Sequence, residues 1–345
     1  AVTAQSQAAD LDRGAEIFAA NCAACHGVAG SPDPDSPLVK NLGVVPADFS
    51  DTLFYSREGE SEWKLVATHG GAALGVSEVM PAFGGSLRAV DIDNTLAYSK
   101  TLGGEHDYPD GSLNLFLPIR TKKAFPEDEW VWKQRYTDQE GDNAWKNTLE
   151  YEFRIGRRWQ GILEVNHTYQ GGDGEFGHFE PGFKYVLSHN KQKGSIYTLG
   201  VQAGVPLNSG ENWEFLPYLA MGKIINDEWI FQGSGRLKFD LEDSDAGIAE
   251  FAGIVHWVHT PWPRNVFPGL ELVAEVPFDT GSGPDKEDAI QWSILPQARI
   301  GLNKRGHVAL NVGVELPLNE RDRYDWRAYV YLIWDFADGG FFEAW

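Results

Sequence analysis

Two cysteines occur in the 345 residues, and they stand three apart: Cys22-Ala23-Ala24-Cys25, followed at once by His26. This is the C-x-x-C-H spacing of c-type haem attachment. Thiols so placed can form thioethers to the two vinyl groups of one haem. The next residue then sets an imidazole beneath the iron. Two other chemistries use paired cysteines. A structural zinc site needs four ligands, and no second Cys pair exists. A thioredoxin-type redox pair has no need of His26. A sixth iron ligand should follow. Met80 is the candidate, in GVSEVMPAFGG, a loop stiffened by Pro81, Gly84 and Gly85. Met221, the other methionine, lies far away in a different kind of sequence, and His69 in VATHGG is the rival ligand. The expected cofactor set is therefore Cys22, Cys25, His26 and Met80, with His26 and Met80 on the metal of a single covalent haem c. His/Met ligation tends to raise the reduction potential relative to two nitrogens. No Ser/His/Asp set, phosphate loop or metal-ligand cluster stands out, so no catalytic residue is assigned. The expected chemistry is electron transfer.

The surrounding residues read as a small all-α domain. Leu11, Ala15, Phe18 and Ala19 recur at helical spacing around the motif. DIDNTLAYSKTLGG opens on an Asp/Asn cap signal, carries Ile92, Leu96 and Tyr98 on one face, and ends at Gly103-Gly104. With these residues, positions 10–104 resemble a class I cytochrome c. Gly14 and Phe18 match the first helix of that family, Tyr98 its last-helix aromatic, Cys22, Cys25 and His26 its haem site, and Met80-Pro81 its distal loop. In bacteria the resemblance implies maturation outside the inner membrane. Residues 1–9 form an N-terminal extension. The sequence opens at AVTAQSQAAD without Met, which reads as a mature form whose signal peptide has been removed. No run of about 18 apolar residues suggests a membrane helix.

Beyond residue 104 the texture changes. Residues 105–128 are broken by Pro and Gly and read as a linker or plug. From 129 to 336, twelve segments of about ten residues alternate with period two. In AWKNTLEYEFRI, Leu149, Tyr151, Phe153 and Ile155 share one face and Glu150, Glu152 and Arg154 the other. Val308, Leu310, Val312, Val314 and Leu316 repeat the pattern, as do Ala328, Val330, Leu332, Trp334 and Phe336. A soluble sandwich also alternates. Three further features point to an antiparallel transmembrane barrel: an even strand number, connections that are longer at one end, and aromatic residues at strand ends such as Trp130, Trp145, Trp159, Trp229, Trp257 and Trp292. A tail follows at 337–345. The mean hydropathy of -0.34 fits, because only half of each strand would face lipid. Of the seven histidines beyond 105, only His256 and His259 are close in sequence, and all seven read as structural or luminal.

The net charge of -21 gathers in the longer loops, which repels nucleic acid. The plainer reading of this acid is a solvated surface, or divalent ions bridging to lipopolysaccharide; against it, Glu242, Asp243, Asp245, Asp285, Glu287 and Asp288 could attract cations there, and carboxylates are hard ligands suited to Fe(II). Twelve strands enclose a cylinder roughly 24 Å across. A domain of about 95 residues spans about 30 Å, so it cannot sit inside. The expectation is a cytochrome on the periplasmic side of an outer-membrane barrel. One haem at its foot cannot pass electrons across an apolar band about 25 Å tall. A soluble reductant would have to reach it through the polar lumen. This architecture resembles the porin-fused outer-membrane cytochromes of iron-oxidising bacteria. The resemblance implies Fe(II) as extracellular donor and a periplasmic electron carrier, such as a soluble cytochrome, as acceptor. Outer-membrane lipid is the other partner. The Met-ligated domain and the shorter barrel depart from that pattern. Two alternatives stand beside it: a periplasmic carrier anchored by a closed barrel, and a channel for a small organic solute with an attached cytochrome.

Overall fold

The computed structural model describes residues 9–139, 141, 143–243, 246–278, 290–319 and 324–336. The chain divides into two compact units, Ala1–Ser112 and Leu113–Trp345.

The first unit is helical. Its helices are α1 (Leu11–Asn21), α2 (Ala23–His26), α3 (Pro37–Leu42), α4 (Glu60–His69), α5 (Gly71–Leu74) and α6 (Ala89–Ser99). Asp10 caps α1 by accepting from the Arg13 amide at 3.0 Å. The face that α1 buries is Gly14, Ile17 and Phe18, while Leu11 and Ala19 point to solvent. The spacing suggests Leu11, Ala15, Phe18 and Ala19; Phe18 is buried as expected, but Leu11 and Ala19 are not. Gly14 takes their place because α1 crosses α6 there. A Cβ at Gly14 would collide with the Asn94 carbonyl. The Asn94 side chain in turn accepts from the Asp10 amide at 3.0 Å. Phe18 then meets Tyr98, with ring centroids 5.5 Å apart. Helix α6 starts at Ala89, two residues before the expected cap, with Arg88 at the N-cap position and no side-chain cap bond. Asp91, expected to cap, lies instead in the first turn and binds Arg88 and Arg13.

The second unit is a closed antiparallel barrel of twelve strands: β1 (Glu129–Asp138), β2 (Ala144–Arg154), β3 (Trp159–Gln170), β4 (Asp173–Asn190), β5 (Ser195–Pro206), β6 (Glu214–Ile224), β7 (Trp229–Asp240), β8 (Ile248–Trp257), β9 (Val266–Pro277), β10 (Gln291–Gly301), β11 (Val308–Pro317) and β12 (Trp326–Asp335). β1 pairs with β12 from Glu129–Asp335 to Asp138–Trp326 and leaves no edge. The alternation sorts as expected. In β11, Ala309, Asn311 and Glu315 are buried, while Val314 and Leu316 are exposed on the outer face. Outward Trp145, Trp159, Trp229, Trp257 and Trp292 are each about 40% exposed, as a lipid-facing belt requires. Trp229 lies in register with Trp257. One loop is shorter than expected. Residues 170–177 read as an outward loop, yet only Gly171 and Gly172 separate β3 from β4. Both have positive φ, 61° and 99°, which the tight hairpin demands. Residues 173–176 continue the ladder opposite His167–Gln170.

Residues 113–128 lie inside this barrel. The segment enters at the end where β1 begins and β12 finishes, and there Phe116 packs on Phe267 at 4.6 Å. It turns at Ile119–Lys122 and returns past Phe125 to β1. Wall side chains bind its backbone throughout. Gln232 donates to the Phe116 carbonyl at 2.7 Å, Tyr331 to Ile119 at 3.0 Å, and Thr198 to Ala124 at 2.7 Å. Gln160 accepts from the Glu127 amide at 2.5 Å. Leu113, Ala124 and Phe125 form a luminal core with Ile162, Val186 and Ile196. The polar lumen expected from the alternation therefore holds a segment of the chain itself.

A Gly14→Val variant should wedge α1 from α6 and destabilise the first unit by about 1–3 kcal/mol. Denaturant unfolding of the full protein, followed by haem absorbance, should show a lowered midpoint with the heat-modifiable gel migration of the barrel unchanged.

Candidate functional site: a haem-binding turn

One turn of helix brings the motif together. The Cys25 and His26 amides donate to the Cys22 carbonyl at 3.1 and 3.0 Å. Residues at i, i+3 and i+4 share a helix face, so Cys22, Cys25 and His26 share one side. Gly27 ends the turn at φ +79°, where a Cβ would strike the Ser31 carbonyl. The His26 ring is buried and stacks on Phe49 at 4.6 Å. Its Nδ1 lies 2.9 Å from the Ala47 carbonyl. Donation from Nδ1 places the imidazole lone pair on Nε2, the arrangement of a metal-ligating histidine. Burial pushes the His26 pKa below the ordinary histidine value, against the Ala47 bond that raises it. The ring is thus kept neutral, as a ligand must be.

Both cysteines are free thiols and half-buried. Burial, with Cys25 beside it, pushes the Cys22 thiol up to about 11. A redox C-x-x-C pair or a zinc site needs the opposite shift. Met80 is half-buried on a loop laid against the end of α4. Its carbonyl accepts from the Gly71 amide at 3.1 Å. Further along, the Phe83 and Gly84 amides donate to Ala67 and Thr68 at 3.0 Å. Gly70 permits this close approach with φ +84°. His69, the rival ligand, is exposed on the last turn of α4. Behind the site lies an aromatic wall of Phe49, Phe54 and Trp63, joined to Ile92 and Leu96.

The family model for cytochrome c oxidase, cbb3-type, subunit III matches residues 9–98. Cytochrome c6 of Picosynechococcus is 38% identical over 93 residues, which cover 26% of this chain and 72% of that protein. Cytochrome c6 of Porphyra purpurea is 39% identical over 92 residues, 26% of this chain and 70% of its own length. The chain belongs to the cytochrome c6 family through its N-terminal domain. For the rest of the chain, the NanC porin structure is similar at 9% identity and a TM-score of 0.43, covering 59% of this chain and 97% of that one. An outer membrane channel from Pseudomonas putida F1 is similar at 14% identity and a TM-score of 0.43, covering 64% of this chain and 99% of that one.

Haem c is what the cytochrome family implies, and the residues fit it. His26 has the tautomer and neutrality of an axial ligand. Cys22 and Cys25 lie on the same helical side, and the aromatic wall supplies an apolar bed.

Sequence reasoning found the motif but missed the residues that fix its geometry, Ala47 and Phe49. They come from a stretch, GVVPADF, with no periodicity to mark it.

Asp91 binds the Arg88 guanidinium and then Arg13, and these contacts hold its pKa at about 2, against the pull of burial. Its unfolded value is about 3.9. The folded value is depressed, so this stabilisation is complete above about pH 4 and is lost as pH falls toward 2. Acid titration of the cytochrome's haem absorbance should show this loss. Asp91→Asn should lower stability at neutral pH and flatten the acid limb between those values.

Proposed function

We infer that the protein is an electron-transfer cytochrome anchored in the bacterial outer membrane by a barrel that its own chain occludes. The single observation that carries this reading is the re-entrant segment 113–128 inside a closed barrel. A bound haem c supplies reversible one-electron chemistry between Fe(III) and Fe(II). Cys22 and Cys25 would anchor it through two thioethers. His26 would give Nε2 to the iron and Met80 its thioether sulfur. The Ala47 carbonyl holds the His26 ring in place, and Phe49 and Trp63 keep water from that side.

The barrel contributes location. Its closed ladder satisfies every strand internally, and its outer face is aliphatic and aromatic, so lipid is the solvent it suits. The cytochrome domain belongs on the periplasmic side in this reading, after export by a cleaved signal peptide. A periplasmic electron carrier such as a soluble cytochrome is the partner.

The inserted segment bears on how electrons would arrive. The tip residue Arg120 makes ion pairs with Glu315 at 2.9 Å, Glu275 at 2.6 Å and Glu250. Thr121 donates to Glu271 from its amide and hydroxyl, each at 2.5 Å. A cavity of about 160 Å³ remains beside the segment, lined by Lys133, Lys146, Glu150 and Glu164 among others. That volume holds a few waters, and the segment with its ion pairs occupies the lumen beside it. The closed anchor is therefore favoured over delivery of a reductant along the lumen. The organic-solute channel loses support for the same reason.

An extracellular Fe(II) donor is the second reading. It is favoured by Glu242 and Asp243, exposed on a loop whose backbone is clamped by the Asp240 carboxylate at 2.9 Å. Asp245, Asp285, Glu287 and Asp288 lie outside the described residues.

Two measurements separate the readings. In planar bilayers the protein should give no steady porin-sized conductance. Arg120→Ala breaks a buried ion-pair network, at a cost on the order of 3–5 kcal/mol, and should produce flickering currents. Replacing residues 114–126 by a Gly/Ser stretch should give a steady open pore. A steady pore in the native protein would overturn the closed-anchor reading. In liposomes with a trapped acceptor, external Fe(II) should leave the haem oxidised, and haem reduction from outside would establish the donor reading instead. At the haem, Met80→His should lower the reduction potential and abolish the thioether-to-iron absorption band, read by redox titration.

A further inference from the structure

At the barrel end opposite its termini, three side chains converge that no part of the haem chemistry uses. His178 comes from β4, Glu214 from the start of β6, and Glu211 from the loop between β5 and β6. One ligand atom from each lies within 4.8 Å of the others. His178 and Glu214 are 5% and 6% exposed, unusual for such groups.

The convergence is built into the wall. β5 runs between β4 and β6, so side chains on those strands would ordinarily be held apart by the residue between them. That residue is Gly204. A Cβ there would lie 2.8 Å from Glu214 Cβ and 3.1 Å from His178 Cδ2. The absent side chain opens the space in which the two meet.

The histidine is oriented as a ligand. Its Nε2 lies 2.8 Å from the Asn212 carbonyl, so that nitrogen donates and the lone pair falls on Nδ1. Asn212 is itself fixed, donating to the Asp240 carboxylate at 2.9 Å. This is the outer-shell carbonyl that orients most metal-bound histidines. Glu211 Oε2 lies 3.7 Å from Nδ1, and Glu214 Oε1 lies 3.8 Å from Nε2, on the neighbouring side of the ring. Those separations are too long for hydrogen bonds. With one ligand atom of each residue within 4.8 Å of the others, a small closing movement of the exposed Glu211 side chain would bring them round one ion at about 2.1 Å. The Lys238 ammonium occupies the charge position, 2.5 Å from Glu214 Oε1. It sits on a flexible stem, 41% exposed, and can swing away.

We propose that His178, Glu211 and Glu214 form a binding site for a first-row divalent transition-metal ion, with Lys238 as the cation that the metal displaces. One imidazole and two carboxylates favour such an ion over Mg(II) or Ca(II), which take oxygen ligands. The site stands on its own geometry, whichever way electrons reach the haem.

Isothermal titration of the full haem-loaded protein in detergent with Zn(II), over an excess of Mg(II) to occupy diffuse acidic surface, tests the proposal. The expected result is one equivalent of Zn(II) bound at this site. Loss of an outer-shell partner already costs 10–100-fold, so His178→Ala should weaken it by at least about tenfold. Glu211→Gln, on an exposed loop where folding is not at stake, should weaken it too. Lys238→Met should tighten it. Heat-modifiable migration checks that each barrel is folded. Zn(II) isotherms unchanged in both His178→Ala and Glu211→Gln, or no Zn(II) uptake by the native protein, would overturn the site.

Discussion

The Arg120 guanidinium is the point on which the barrel interior turns. It carries a positive charge to the middle of a wall that presents Glu250, Glu271, Glu275 and Glu315 inward. Carboxylates so buried repel one another unless a cation joins them. Tyr324 and Ser293 also donate to Glu315 Oε1, at 3.1 and 2.6 Å, beside the Arg120 guanidinium. The wall and the inserted segment are therefore complementary. Neither has a satisfied interior without the other, and short apolar cores at Phe125 and Ile119 pack the segment against the wall on either side.

The same division of labour appears in the helical domain at smaller scale. A rigid crossing at Gly14 and a buried Asp91–arginine cluster fix the first and last helices. The stretches that carry Ala47 and Met80 are then free to be loops. Ala47 and Met80 both sit on irregular backbone, held by glycines and by amide-to-carbonyl bonds to neighbouring helices. Rigid elements set the frame, and the candidate ligand Met80 sits on a loop held against it.

Much of this was legible in the residue order, and the reason is periodicity. Period two carried each strand, because lipid outside and polar lumen inside enforce strict alternation; Val314 and Glu315 fall on opposite faces as their types demand. C-x-x-C-H marked the helical turn at 22–26, because the haem attachment it suggests requires that spacing. The re-entrant segment was only half legible. Residues 105–128 were irregular enough to be a linker or a plug, but Arg120 finds Glu315 at a separation of 195 residues, which no local pattern encodes. The start of α6 was misplaced because Asp91 resembles a cap while its true partners are arginines. His178 looked solitary because the residues that meet it do so across an intervening strand, through the missing side chain of Gly204.

The course of residues 113–128 also constrains how the molecule can be made. The segment precedes β1, and β1 closes the cylinder by pairing with β12, the last strand in the chain. Once that seam is zipped, a stretch bonded to strands all round the wall has no lateral way in. It either threads the mouth at which β1 begins or is laid against the nascent sheet while the β1–β12 seam still gapes, and in the second case the final pairing traps it. During biogenesis the stretch would serve as a mandrel round which the sheet curls. Its charges would neutralise luminal carboxylates before lipid surrounds them.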